Sequence, residues 1–131
     1  KLWLGNLDAK RDWGHAKDYV EGMWKILQHD TPEDFVLATG KSYTVREFCE
    51  IAFREIGFNL EWVGQGINEI GKDSKSGTVL VQIDERYFRP TEVDYLQGDA
   101  SKAREKLNWF PKISLKSMIS EMIKNDLKTL D

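Results

Sequence analysis

The chain has 131 residues, enough for one domain-sized core and too few for two, so residues 1–131 are read as a single domain. Lys and Arg number 19 against 22 for Asp and Glu, a formal charge of −3, so no global basic field recommends nucleic acid as a partner, and any anion site must be local. The lone cysteine, Cys49, rules out an internal disulfide. The longest wholly apolar stretch, Phe35 to Ala38, falls far short of the roughly 20 residues that cross a bilayer; a reducing, soluble setting without membrane contact is expected.

The chain opens Lys1-Leu2-Trp3-Leu4-Gly5, with no initiator Met and already in a strand pattern, which reads as a piece of a longer polypeptide. After the strand Leu2 to Gly5, Asn6 to Gly14 forms a polar connection. Val20, Met23, Trp24 and Leu27 follow the i, i+3, i+4, i+7 spacing of one helical face, predicting a helix over about 17–29. Phe35 to Ala38 is apolar at every position, as in a strand covered on both sides in a parallel sheet. Without such covering neighbours the chain should expose apolar surface.

The next helix has the clearest start. Thr44 and Glu47 form a capping box, Tyr43 and Phe48 are spaced as a hydrophobic staple, and Gly57 closes the helix. Phe58, Leu60 and Trp62 alternate with polar residues, as do Val79, Val81 and Ile83, predicting two strands with a polar, solvated loop over Gly64 to Gly77 between them. Asp99 is the expected N-cap of a short helix ending at Leu107, and Ser114 that of a last helix with Leu115, Met118, Ile119, Met122 and Ile123 as its apolar stripe. Helices alternating with short strands place the chain in the α/β class.

Chemistry is sparse. One Cys and two distant His residues, His15 and His29, make no metal-ligand cluster, and Cys49 on an apolar helical stripe reads as a small hydrophobe. His29 is expected to face solvent. Gly64-Gln65-Gly66 lacks a following helix, so it reads as a turn rather than a phosphate cradle. Two segments are left. Arg11, in Asp8-Ala9-Lys10-Arg11-Asp12-Trp13, either reaches an anion or pairs with Asp8 or Asp12. In Arg86-Tyr87-Phe88-Arg89-Pro90-Thr91-Glu92 the guanidinium of Arg89 suits a phosphate, with Glu92 accepting from hydroxyls or a base edge. Pairing of Arg89 with Glu92 explains the same residues without a ligand.

These segments carry a resemblance. Residues 5–20, with Ala38-Thr39-Gly40, Val45-Arg46-Glu47-Phe48 and Arg86 to Asp94, resemble the C-terminal part of the GDP-mannose 4,6-dehydratase family. Ser101-Lys102-Ala103 leading to Leu107-Asn108-Trp109 and Pro111 resembles the closing signature of extended short-chain dehydrogenase/reductases.

The resemblance implies the substrate-binding C-terminal portion of such an enzyme, without its N-terminal Rossmann half. The implied activity is that of a lyase turning GDP-mannose into GDP-4-keto-6-deoxymannose, with NADP as internal hydride carrier and a role in GDP-fucose supply. It further implies Arg89 as the diphosphate ligand, Glu92 as partner of GDP hydroxyls or base, Arg11 as a second nucleotide contact, and Lys10 and Asn6 as weaker neighbours. NADP, the rest of the chain and a homo-oligomer are the other implied partners. No Tyr is followed four positions later by Lys, and the dinucleotide glycine pattern is absent, so no catalytic residue is assigned and the chain alone is expected to be inactive. The alternatives are the matching portion of a UDP- or dTDP-sugar epimerase or dehydratase, or a stand-alone binding module.

Overall fold

The computed structural model describes residues 1–130. Its elements are β1 (Leu2–Leu4), β2 (Lys10–Arg11), α1 (Ala16–Leu27), β3 (Tyr43–Thr44), α2 (Val45–Glu55), β4 (Leu60–Val63), a 3-10 turn (Gly66–Asn68), β5 (Ile70–Asp73), β6 (Val79–Ile83), α3 (Ser101–Leu107) and α4 (Leu115–Thr129). They fall into two compact units, residues 1–9 with 44–94, and residues 10–43 with 95 onward.

The first unit is built on a four-stranded sheet in the order β1-β6-β5-β4. β1 runs parallel to β6, with Leu2 opposite Val81 and Leu4 opposite Ile83. The other two pairings are antiparallel. Trp62 stands opposite Gly71, where a Cβ would lie 2.8 Å from the indole ring; the bare glycine lets the ring lie flat across the neighbouring strand. β5 lies inside the segment expected to be a solvated loop. Its alternation is hidden in the sequence because its inward positions are Gly71 and Asp73, both buried, instead of large apolar residues.

α2 starts as expected. Thr44 Oγ1 accepts from the Glu47 N–H at 3.0 Å, and Glu47 Oε2 accepts from the Thr44 N–H at 2.6 Å, so two otherwise orphaned donors are satisfied reciprocally. Gly57 takes φ 88° just beyond the last turn, in the left-handed region open to glycine. The Trp62 indole N–H donates to Glu50 Oε1 at 2.8 Å, tying α2 to β4. Cys49 is buried on this helix, and desolvation pushes its thiol up to about 11. A neutral thiol is inert: alkylation at pH 8 should be slow in the folded protein and fast after unfolding, and stoichiometric labelling of the native protein within minutes would contradict this burial.

The second unit packs around Trp109, which has no exposed surface and sits among Ala38, Ala100 and Ala103. Its indole N–H donates to the Asp18 carbonyl at 2.8 Å, and its ring stacks 6.3 Å from Tyr19. Gly22 gives this site room, since a Cβ there would meet Leu37 Cδ1 at 2.6 Å and Trp109 Nε1 at 3.0 Å. Asp18, itself buried, accepts through Oδ2 from the backbone N–H groups of Lys112 (3.0 Å) and Ile113 (2.9 Å). That anchors the approach to α4, which Ser114 then caps by accepting from Ser117 N–H at 3.1 Å.

Several expectations need correction in this unit. The α1 face carrying Val20, Met23, Trp24 and Leu27 is 58–80% exposed; the period is right, but the buried residues of α1 are Asp18 and Gly22. Phe35 to Ala38 forms no strand. An extended segment becomes a strand only by ladder bonding to a neighbour, and the described residues give it none, leaving Val36 half exposed. The N-cap of α3 is Ala100 instead of Asp99, although Asp99 Oδ1 accepts from Ser101 N–H at 2.9 Å. The stripe of α4 buries Leu115, Met118 and Ile119 and leaves Met122 half exposed. His29 does not simply face solvent: its ring packs edge-on against Phe35 at 5.5 Å.

Candidate functional site

In the first unit the carboxyl end of β1 and the segment after β6 come together. The Asp84 N–H donates to the Leu4 carbonyl at 2.8 Å, continuing the β1–β6 ladder by one step. The Asp84 carbonyl then accepts from Tyr87 and Phe88 N–H groups at 3.0 and 3.1 Å, turning the chain. Arg86 grips the Asp84 carboxylate through Nε and Nη2, which holds that carboxyl below its usual range. Gly5 lies so close that a Cβ would sit 2.1 Å from the Tyr87 carbonyl oxygen. Asn6 next contacts Arg89: its Nδ2 donates to the Arg89 carbonyl at 2.8 Å, and its Oδ1 accepts from the Arg89 N–H at 2.8 Å.

A cavity of about 190 Å³ opens beside this junction, with Asn6, Phe88, Asp8, Glu69, Glu92 and Asp94 in its wall. Two of the four carboxylates are offset by Arg46, which bonds Asp8 at 2.9 Å and also pairs with Glu69. Those partners raise the Arg46 guanidinium above its ordinary value, and the guanidinium lies 4.8 Å from the Trp62 ring centroid. Glu92 Oε1 accepts from the Val93 N–H at 3.0 Å. A wall rich in carboxylate acceptors suits hydroxyl or amine donors and repels phosphate. The guanidinium of Arg89, by contrast, stands on the exposed surface, outside the cavity lining. Among the described residues it enters no ion pair, with Glu92 or any other carboxylate.

The second unit holds Lys10 and Arg11. Lys10 is bridged to Tyr95, and its carbonyl accepts from Leu96 N–H at 3.1 Å and from Arg11 Nη1 at 2.8 Å. Arg11 is half buried and lines an open, largely apolar cavity of about 470 Å³ with Trp13, Tyr19 and Val36. The two carboxylates offered by the sequence as its partners have other work. Asp8 bonds Arg46. Asp12 accepts from Thr39 N–H at 3.0 Å, Thr39 Oγ1 at 2.5 Å, Gly40 N–H at 2.9 Å and Gly98 N–H at 3.3 Å. Asp12 is thus the clasp that fixes the Thr39-Gly40 turn, a role no local pattern signals because its partners lie 27–86 positions away. His15 caps α1, its Nδ1 accepting from Lys17 N–H at 3.0 Å.

Of the residues singled out by sequence, then, Asn6, Arg89 and Glu92 share one locus, and Lys10 and Arg11 lie in the other unit. A sequence model described as GDP-mannose 4,6 dehydratase matches residues 1–122. The chain belongs to the GDP-mannose 4,6-dehydratase family. It is 54% identical over 127 residues to GDP-mannose 4,6 dehydratase of Homo sapiens, covering 97% of this chain and 34% of that protein. It is also 55% identical over 129 residues to GDP-mannose 4,6-dehydratase of Sinorhizobium fredii, covering 98% and 37%. The chain therefore spans about a third of the length of these relatives.

Two solved structures place this member of the GDP-mannose 4,6-dehydratase family in a wider fold. UDP-glucose 4-epimerase from Thermotoga maritima, solved with UDP-glucose, superposes with TM-score 0.76 at 22% identity, covering 100% of this chain and 36% of the epimerase. dTDP-glucose 4,6-dehydratase from Bacillus anthracis, in complex with NAD, gives TM-score 0.71 at 16% identity, covering 95% and 33%. At these identities the likeness carries the fold alone: the α/β arrangement of about a third of each of those enzymes. No helix among the described residues is long and apolar enough to cross a membrane.

Proposed function

We propose that the complete polypeptide containing this chain is a cytoplasmic lyase that dehydrates GDP-mannose to GDP-4-keto-6-deoxymannose, and that residues 1–131 supply its grip on the nucleotide sugar. The observation that carries this reading is the family match along residues 1–122, joined to relatives named for the same activity at 54–55% identity. In this reading the Arg89 guanidinium meets the diphosphate, Glu92 accepts from hydroxyls or base of GDP, and Arg11 gives a second contact on the nucleotide side, with Lys10 and Asn6 beside them.

The charge distribution supports the division of labour between Arg89 and Glu92. An exposed guanidinium without a partner among the described residues keeps its donors for a diphosphate. The carboxylates of the neighbouring cavity accept from neutral hydroxyl or amine groups, which phosphate cannot replace. The Gly64-Gln65-Gly66 segment does not fit a dinucleotide cradle. Gly64 and Gly66 lead into a short 3-10 turn and then β5, so no amides converge at a helix N-terminus. In this reading NADP is held by the rest of the polypeptide, and what this chain contributes is binding and orientation of the nucleotide.

The test is product analysis of the complete polypeptide supplied with NADP. Incubation with GDP-mannose should yield a nucleotide sugar lighter by one water. Turnover of a UDP- or dTDP-hexose with GDP-mannose left intact would overturn the assignment in favour of another nucleotide-sugar enzyme of this fold.

A further inference from the structure

We infer that Asn6 is a positioning residue that presets Arg89 for the diphosphate, acting on the backbone of Arg89 and not on the ligand; this rests on the proposed role of Arg89. The carboxamide of Asn6 bonds both main-chain groups of that single residue, at 2.8 Å each. The pattern is that of one rung of a β-ladder in which a side chain replaces the second strand. It also fixes the carboxamide's orientation, because an N–H on one side and a carbonyl on the other admit only one placement of oxygen and nitrogen. Few side chains can do this: a hydroxyl has one atom to offer, and a carboxylate would set a charge against the Arg89 carbonyl.

The neighbours of Asn6 make the clasp possible. Leu4 accepts from Asp84, and Gly5 leaves space for the Tyr87 carbonyl, so three consecutive residues dock the segment that leads to Arg89. On the far side Pro90 disfavours a helical conformation for Arg89. The Arg89 side chain itself is exposed and unpaired among the described residues, so its backbone is what fixes the point and the Cα–Cβ direction from which the side chain starts. Fixing that backbone beforehand removes part of the ordering cost of binding.

The complete enzyme, Asn6→Ala, Arg89→Ala and the double variant should be compared for GDP affinity by calorimetry, with hydrogen exchange of the Arg89 amide as a second readout. Asn6→Ala should weaken GDP by about tenfold and deprotect the Arg89 amide, while the double variant should bind no worse than Arg89→Ala alone. Losses that multiply would mean that Asn6 meets the ligand independently. Wild-type affinity in Asn6→Ala alongside a weakened Arg89→Ala would mean that the clasp does not serve binding. Either result overturns the inference and leaves the role of Arg89 standing. Unchanged affinity in Arg89→Ala would overturn both. Where the alanine variant does not fold, Asn6→Asp, which keeps the acceptor for the Arg89 N–H, takes its place and should show the same lack of added loss in the Arg89→Ala background.

Discussion

Replacing Arg89 by alanine in the complete enzyme is expected to weaken GDP-mannose binding by about 1.5–3 kcal/mol, the scale of charge-assisted hydrogen bonds to one ionised group. Each 1.4 kcal/mol is tenfold, so calorimetry should read a loss of roughly 10- to 150-fold. Because Arg89 is exposed and outside any ion pair among the described residues, its removal breaks no internal contact of its side chain, and folding stability should stay within about 0.5 kcal/mol. That combination separates a ligand contact from a structural arginine. A lysine at the same position keeps the charge and loses the planar fork, so Arg89→Lys should recover part of the affinity. Unchanged affinity in Arg89→Ala would remove the diphosphate contact from this residue.

The second large effect belongs to the core. Trp109→Ala should cost about 3–5 kcal/mol of stability, as for other large aromatic truncations that leave a cavity. The ring is wholly buried, with Ala38, Ala100 and Ala103 in its cluster and Tyr19, Phe35, Leu37 and Leu107 packed against that cluster; the three alanines have little side chain with which to fill the void. Its indole bond to the Asp18 carbonyl is lost as well. Trp109→Phe, which keeps most of the volume and drops the donor, should cost less. Denaturant midpoints of the complete protein measure both, and a loss below about 1 kcal/mol for the alanine variant would contradict the packing described around Gly22 and Trp109.

What could be read from the sequence follows how local each feature is. The capping box of Thr44 and Glu47 spans three positions, so its donors and acceptors are all visible in the local pattern, and α2 begins where they place it. The strand at Val79–Ile83 is legible for the same reason. The stripe of α1 shows the limit of periodicity: spacing reveals that Val20, Met23, Trp24 and Leu27 share a face, but burial depends on what packs there, and Asp18 and Gly22 won that place through Trp109 and the Lys112-Ile113 backbone. β5 escaped because a glycine opposite Trp62 carries no apolar signal.

The site divides in the same way. Arg89 and Glu92 stand three positions apart, and their residue types alone suggest phosphate and hydroxyl recognition. The two-sided bond from Asn6 to Arg89 joins residues 83 positions apart, as the clasp of Asp12 on Gly98 joins residues 86 apart. Neither has a counterpart in spacing or composition. Family resemblance pointed to Asn6 as a residue of interest, while only the geometry shows what its carboxamide touches.

The most direct measurement is a crystal structure of the complete enzyme with GDP bound. Both terminal nitrogens of Arg89 should lie within hydrogen-bond distance of diphosphate oxygens, about 2.7–2.9 Å for such charged pairs, with the Asn6 carboxamide still bonded to the Arg89 backbone. A diphosphate held by other residues while the Arg89 guanidinium remains in solvent would contradict this.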